Sequence, residues 1–378
     1  PGHVQTRRMK YFGFFISLLL VIYGLGNFYV LYRGYQWSPL HGPCLKWAFI
    51  IWGIVMMLSL PLMNMFSLPC PRLQAFWMTI SYSWLVFVLY ALMLVLIADL
   101  IGGLFRLFHF RDMISGTGRS ILWFSVLALL LGLLLAGNFR YRHFTRKEMH
   151  VGLPGSVKML AISDLHLGLL TDNSRLEQFV GAINKEKPDV ILVVGDLIDR
   201  SLEQVREQDM GSLLQKLEAP MGIYAVPGNH EFYAKEDEAL QWIAEQGIVV
   251  LRDSVVRIPG VAYILGREDH SVAGRKTLLQ VWENSAFGSL ERDLPLIVLD
   301  HQPLGIAEAV EYGVDFQLSG HTHAGQLWPV SLLVRKVNDL FYGEYTRGKT
   351  RFYVTSGLGI WGPPFRIGVP RSEYVVIR

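Results

Sequence analysis

Aspartate, histidine or both recur in five short segments of this chain: DLH at Asp164–His166, GDLID at Gly195–Asp199, GNHE at Gly228–Glu231, DHQP at Asp300–Pro303 and GHTH at Gly320–His323. Imidazole nitrogen with carboxylate oxygen suits zinc, manganese or iron. The chemistry of such a set is metal-assisted hydrolysis, in which two ions about 3.5–4 Å apart clamp a phosphate and supply the attacking hydroxide. Asp164 and His166 are spaced to bind one ion together from the same side of an extended turn, and His321 and His323 repeat that spacing. Asp196 is the natural carboxylate for two ions to share. The two cysteines, Cys44 and Cys70, lie outside this half, which excludes a thiolate zinc site or a disulfide scaffold there.

These groups need a frame that brings distant segments to one edge. From Val157 onward, short β-branched runs at Val157–Ser163, Val190–Val194, Ile223–Val226, Ala262–Leu265 and Leu296–Leu299 read as strands. Helical periodicity at Ser174–Lys187, Leu202–Leu217 and Glu236–Gln246 falls between the early ones, the alternation of a layered α/β domain. Val255–Ile258, Arg351–Val354 and Tyr374–Ile377 add further strands, and a β-sandwich flanked by helices fits best. Asp164, Asp196, Asn229, His301 and His321 each follow an apolar strand, where open α/β sheets gather their ligands.

The first part of the chain is a different kind of polypeptide. Hydrophobic residues make up 51% of the 378, and mean hydropathy is +0.31, too apolar for a wholly soluble protein. Runs at Tyr11–Leu31, Leu45–Met65, Ala75–Leu104 and Ser120–Phe139 each reach the ~20 residues a helix needs to cross a bilayer. The first is too long for a signal peptide and lacks a small-residue cleavage site. An α-helical transmembrane bundle of four helices is therefore expected over 1–139, a basic linker over 140–155 and the α/β domain over 156–378.

Arg7, Arg8, Lys10, Arg72, Arg140, Arg142, Arg146 and Lys147 fall on one side of the spans, against Arg33, Lys46, Arg106, Arg111 and Arg119 on the other. That bias predicts an integral, multi-pass membrane protein with its catalytic domain in the cytoplasm. Asp99 is expected near an interface, and no intramembrane polar cluster marks a substrate path. The spans therefore read as an anchor before they read as a lipid-presenting domain. Linker residues Arg140, Arg142, Arg146 and Lys147 interleave with Phe139, Tyr141 and Phe144, which suits an anionic lipid surface or a stop-transfer flank. No dense basic tract is present at a net charge of +3, which argues against nucleic acid as a partner.

With these motifs in order, the chain resembles the calcineurin-like metallophosphoesterase superfamily. The segments Leu318–Gln326 (LSGHTHAGQ) and Thr355–Gly368 (TSGLGIWGPPFRIG) look like its membrane-associated YkuE/YaeI-type branch. The resemblance implies two divalent metal ions (manganese, zinc or iron). Asp164, His166, Asp196 and His323 would hold one, and Asp196, Asn229, His301 and His321 the other. It further implies that His230 meets the phosphate, stabilising charge or protonating the leaving oxygen, and that Asp199 orients it. Every ligand of the family pattern has a match, which argues against a non-catalytic copy. GNHE for the commoner GNHD, and GHTHAG for GHTHGG, change neighbours rather than ligands.

Arg200 follows GDLID and could reach a phosphate, or make an ordinary surface ion pair. His109, His143, His150 and His270 carry no motif and stay unassigned. The segment Gln326–Tyr342 is rich in Leu, Val, Trp and Phe and reads either as core or as an apolar lip beside the metals. Together these features favour hydrolysis of a phosphoester or pyrophosphate of a lipid at the bilayer surface, with membrane lipids as partners. Some members of the superfamily hydrolyse UDP-diacylglucosamine, and other phospholipids or polyprenyl phosphates fit as well. The alternatives are a membrane-anchored phosphodiesterase or phosphatase for soluble nucleotides or envelope phosphates, a non-catalytic membrane sensor, and a transporter with an attached hydrolase. Nothing in the sequence specifies an oligomeric state.

Overall fold

The computed structural model describes residues 2–40, 42–107, 116–154 and 157–378. The side chains of Arg7, Arg8, Lys10 and Arg106 lie outside the described residues, as do His109, Arg111 and the expected linker–domain junction at Gly155–Ser156. Packing divides the chain into two units, Pro1–Ala136 and Gly137–Arg378.

The first unit is helical: α1 (Gly2–Trp37), α2 (Pro43–Met65), α3 (Pro71–Leu107) and most of α4 (Gly116–Arg142). Among the described residues, α2, α3 and α4 are long and apolar enough to cross a membrane. Cys44 and Cys70 are exposed free thiols. Asp99, near the C-terminal end of α3, is paired. The Arg33 guanidinium pairs with it through Nε at 2.8 Å, and the Tyr29 hydroxyl donates to the same carboxylate. Nearby, buried Asn27 accepts from Trp84 Nε1 at 2.8 Å and donates to the Tyr23 carbonyl. Polar groups among apolar helices are tolerated when each supplies the other's charge or hydrogen bond, and that is how these are arranged.

The second unit begins with the end of α4. Next come β1 (Thr145–Met149), β2 (Met159–Ile162), α5 (Asn173–Lys185), β3 (Val190–Val194), α6 (Leu202–Glu207), α7 (Met210–Leu214) and β4 (Ile223–Val226). The chain continues through α8 (Asn229–Tyr233), α9 (Glu236–Glu245), β5 (Val249–Val250), β6 (Ser254–Ile258), β7 (Ala262–Gly266), α10 (Leu278–Glu283) and β8 (Leu296–Leu299). It closes with α11 (Ile306–Tyr312), β9 (Phe316–Ser319), α12 (Val330–Val337), β10 (Gly343–Arg347), β11 (Thr350–Val354) and β12 (Glu373–Ile377).

Two six-stranded mixed sheets result, ordered β1-β12-β2-β3-β4-β5 and β10-β11-β9-β8-β7-β6. Strands β2 to β5 are parallel in the first, and β7, β8, β9 and β11 in the second. Their alternation explains the layering. Ile191 and Val193 face the helices α5, α6, α7 and α9, whereas Val190, Leu192 and Val194 join Ile264, Ile297, Leu299 and Phe316 between the sheets. Tyr263, Leu265, Leu296 and Val298 point outward onto α10 and α11. Strands buried on both faces must be continuously apolar, and β3 and β8 are. Full burial of each such side chain contributes roughly 1.5–3 kcal/mol.

Two expectations change here. Residues 145–149, expected within a linker, form β1, paired in parallel with β12. Arg146 is spent on Glu148 and Glu186 rather than on a lipid surface. The helix expected over Leu202–Leu217 is broken between α6 and α7, where Asp209 adopts φ +51°.

Candidate metal centre

Five strand ends deliver the site. Asp164 and Asp196 stand two residues beyond β2 and β3, Asn229 three beyond β4, and His301 and His321 two beyond β8 and β9. The backbone there is not the extended turn expected. Asp164, His166, Asp196, His321 and His323 all have positive φ, between +49° and +66°. Non-glycine residues pay for that conformation with local strain, which concentrates where a fold holds functional groups. Each left-handed residue turns its side chain off the strand end, and Leu165 between Asp164 and His166 drops into the core.

Two clusters form. In the first, His166 Nε2 lies 3.0 Å from His323 Nε2, and Asp164 Oδ1 is 3.5 Å from His323 Nε2. In the second, His301 Nε2 lies 3.1 Å from Asp196 Oδ2, with the His321 ring edge-on to His301 at 5.3 Å. Each triad, Asp164–His166–His323 and Asp196–His301–His321, presents ligand atoms close enough to share one ion. The same Asp196 Oδ2 is 3.8 Å from His166 Nε2 in the first cluster, so one carboxylate oxygen faces both.

The donors fit metal ions on chemical grounds. His301 Nδ1 is 2.8 Å from the Val194 carbonyl, which can only accept, so Nδ1 carries the proton. In the neutral ring Nε2 is then a lone pair aimed at a carboxylate oxygen, an arrangement relieved either by a proton on Nε2 or by a cation bound to both groups. Burial opposes charge on His301, but the Asp196 carboxylate raises its pKa well above the usual value. The nitrogens of His166 and His323 that face each other at 3.0 Å can share a proton in a hydrogen bond or turn both lone pairs to one ion. Among the described residues, buried His301 Nε2, His166 Nδ1, His323 Nδ1 and Asn229 Oδ1 make no hydrogen bond. Burial lowers the pKa of His323 well below its ordinary value and that of His321 to about 4, leaving both neutral as ligands must be.

His230 sits beside the first cluster, its ring edge-on to His166 at 4.5 Å. Its Nδ1 donates to the Asp199 carbonyl at 2.7 Å and lies 3.2 Å from Asp199 Oδ1, which leaves Nε2 for a substrate. Asp199 Oδ1 is also 3.5 Å from His166 Nδ1. Arg200 is half-exposed, with Nε 3.9 Å from Asp199 Oδ2. Among the unassigned histidines, His270 stands 3.9 Å from Asp300, which Arg275 also pairs, and His143 stacks on Phe139.

Glycines make the close approach possible. A Cβ on Gly195 (φ +79°) would strike the His301 ring, and one on Gly228 or Gly320 would strike the carboxylate of Asp196 or Asp164.

A family model for calcineurin-like phosphoesterases matches residues 157–325. An uncharacterized metallophosphoesterase of Aquifex aeolicus is 30% identical over 230 residues, covering 58% of this chain and 84% of that one. This chain belongs to the metallophosphoesterase family. An uncharacterized metallophosphoesterase of Helicobacter pylori is 33% identical over 228 residues, 60% of each chain. A transmembrane protein with metallophosphoesterase domain from Danio rerio is 31% identical over 237 residues, 57% of this chain and 52% of that one. The chain thus spans about 60% of the length of the Helicobacter relative.

Two buried residues of this metallophosphoesterase went unassigned in the sequence. Glu231 accepts from the backbone N–H groups of Gly228 (2.8 Å), Ile198 (3.0 Å) and Asp196 (3.1 Å), locking the GNHE and GDLID loops together. Arg366 spreads its guanidinium over the carbonyls of His323, Ser356 and Gly359 and the Ser372 hydroxyl. A carboxylate directly after GNH and an arginine in a Gly/Pro-rich segment were the available signals, yet neither specifies a buried partner.

Proposed function

We propose that this metallophosphoesterase is a membrane-bound two-metal enzyme that hydrolyses a phosphoester or pyrophosphate bond of a lipid at the bilayer surface. The observation that carries the lipid reading is the surround of His230. Trp361 and Tyr233, 51% and 67% exposed, both stand edge-on to its ring, at 6.2 and 5.2 Å. A group that meets a phosphate between two exposed aromatic rings is suited to a substrate with an apolar body. Helices α2, α3 and α4 are apolar enough to cross the membrane, and α1 would be a fourth span. The lysine and arginine bias supports a cytoplasmic catalytic domain.

Asp164, His166, Asp196 and His323 would hold one divalent ion, and Asp196, Asn229, His301 and His321 the second. The mixed nitrogen and oxygen donors suit manganese, zinc or iron. When bound, the ions supply positive charge to the phosphoryl oxygens and acidify the attacking water. His230, held through Nδ1 by Asp199, presents Nε2 to the leaving oxygen and donates a proton to it. Arg200, whose Nε lies 3.9 Å from Asp199 Oδ2, would reach a phosphate oxygen.

The test is hydrolysis by the full chain in vesicles across phospholipids, UDP-diacylglucosamine, polyprenyl phosphates and soluble phosphodiesters. Manganese or zinc is supplied, and Asp196→Ala serves as control. Asp196-dependent cleavage of a lipid supports the reading. Cleavage of soluble esters alone overturns it and reduces the helices to an anchor.

A further inference from the structure

Helix α12 is amphipathic in the wrong sense for a domain surrounded by water. A surface helix normally turns its apolar stripe to the core and its polar face to solvent. In α12 the one buried residue is Ser331, set against Gly325, where an added Cβ would collide with it. Val330, Leu333 and Val337, spaced i, i+3 and i+7 on one face, are 39%, 66% and 73% exposed. Arg335 and Lys336 in the last turn are exposed as well.

The neighbourhood extends this face. Trp328, 44% exposed, leads into α12, and Trp361, 51% exposed, is fastened beside it because Gln326 Nε2 donates to the Trp361 carbonyl at 3.0 Å. The segment 364–369 is shared. On one side the Ile367 carbonyl accepts from Trp328 N at 2.8 Å. On the other, Arg366 N donates to the Gly137 carbonyl at 3.0 Å and Asn138 Nδ2 to the Pro364 carbonyl at 2.9 Å. Trp328, at the near end of the patch, is therefore separated by this one segment from Gly137 and Asn138, in the last turns of a helix apolar enough to cross a membrane.

We propose that α12, with Trp328 and Trp361, lies in the headgroup region of the bilayer and turns the rim of the metal centre toward it. The occupant of this face is lipid. A stripe of Val and Leu flanked by Trp, with basic residues at one end, is the composition of an interfacial helix, the cations meeting anionic headgroups. The hydrogen bonds through segment 364–369 that join Trp328 to the end of α4 fit a membrane-proximal face. The inference rests on the reading that this chain works at a membrane, and does not require that the lipid be its substrate.

The experiment uses the full chain in nanodiscs of phosphatidylcholine and phosphatidylglycerol, with Cys44 and Cys70 changed to Ser. Nitroxide labels are placed singly through Leu333→Cys and Val337→Cys, and through Val249→Cys on β5, at the opposite edge of the first sheet from β1. A wild-type circular dichroism spectrum and thermal transition of each labelled protein certify its fold. Oxygen should relax the labels at 333 and 337 several-fold more than a water-soluble nickel chelate does, and the order should reverse at 249. Equal nickel access at 333 and 249 overturns the proposal, as does exclusion of both reagents at 333, which would place protein over the helix. Wild-type lipid turnover is read separately in the same nanodiscs. Labels in the bilayer without cleavage of any lipid would retire the lipid substrate and leave the docking face standing.

Discussion

Arg366 Nη1 donates to the main-chain carbonyl of His323 at 2.9 Å, from a guanidinium wholly shielded from solvent. The same guanidinium reaches the carbonyls of Ser356 and Gly359, and Gly359 N in turn donates to the Asp164 carbonyl at 3.0 Å. One side chain thus ties a histidine of the first cluster to the loop that packs on its aspartate. Burial lowers the pKa of Arg366 to about 10, still far above neutrality, so the charge persists.

Arg366→Ala should destabilise the second unit by roughly 3 kcal/mol or more, since several buried carbonyls lose their donor at about 1–3 kcal/mol each. Arg366→Lys should recover part of this, because an ammonium supplies three donors but not the planar fork. Chemical denaturation of the full chain in detergent, with metal content measured in parallel, checks both.

Asp196 and His230 should separate metal binding from proton transfer. Asp196→Ala removes the one oxygen facing both clusters and should lower metal content together with turnover, the latter by about 100-fold or more. His230→Asn should lower kcat by ~10²–10⁴ while metal content stays at the wild-type level. Metal loss in the His230 variant would make it a ligand rather than an acid.

The His230–Asp199 pair predicts a titration in chelator-treated protein. Burial disfavours the imidazolium, but the hydrogen bond and charge of Asp199, with the charge of Asp196, raise its pKa to about 8. The folded value exceeds the free value of about 6.5. The pair's stabilisation is therefore complete below about pH 6.5 and is lost as pH rises through about 8. Ring-nitrogen NMR should find the His230 midpoint near 8, and Asp199→Asn should lower it. A wild-type midpoint at the free value would refute the coupling.

Gly195→Ala should be far more damaging than its one carbon suggests. At φ +79° the alanine costs roughly 1–2 kcal/mol before any collision. Its Cβ then displaces the His301 ring. Reduced metal content at near-normal secondary structure by circular dichroism is the expected result.

Glu231→Ala should loosen both loops that it joins, leaving three backbone donors without their acceptor at about 1–3 kcal/mol each. Hydrogen exchange at Asp196, Ile198 and Gly228 should accelerate more than exchange in β2 or β3.

What the sequence determined by itself is local. Apolar runs such as Val190–Val194 and Leu296–Leu299 are strands because buried parallel strands must be apolar on both faces, and the polar residues after them mark the sheet edge. Donor types at Asp164, His166, Asp196, His301, His321 and His323 likewise state their chemistry without coordinates. Tertiary structure alone decided the rest, because those outcomes depend on partners far along the chain. Thr145–Met149 has the composition of a basic linker and became β1 because β12, more than two hundred residues away, offered an edge. The left-handed turns at Asp164, Asp196 and His323 arise where five strand ends converge, and nothing in their tripeptides encodes a positive φ. Glu231 and Arg366 acquired their roles when burial left them facing main-chain groups of other loops. The apolar segment after His323 divided likewise: Leu327 and Leu340 entered the core, while Val330, Leu333 and Val337 stayed outside because Ser331 is small enough to pack against Gly325.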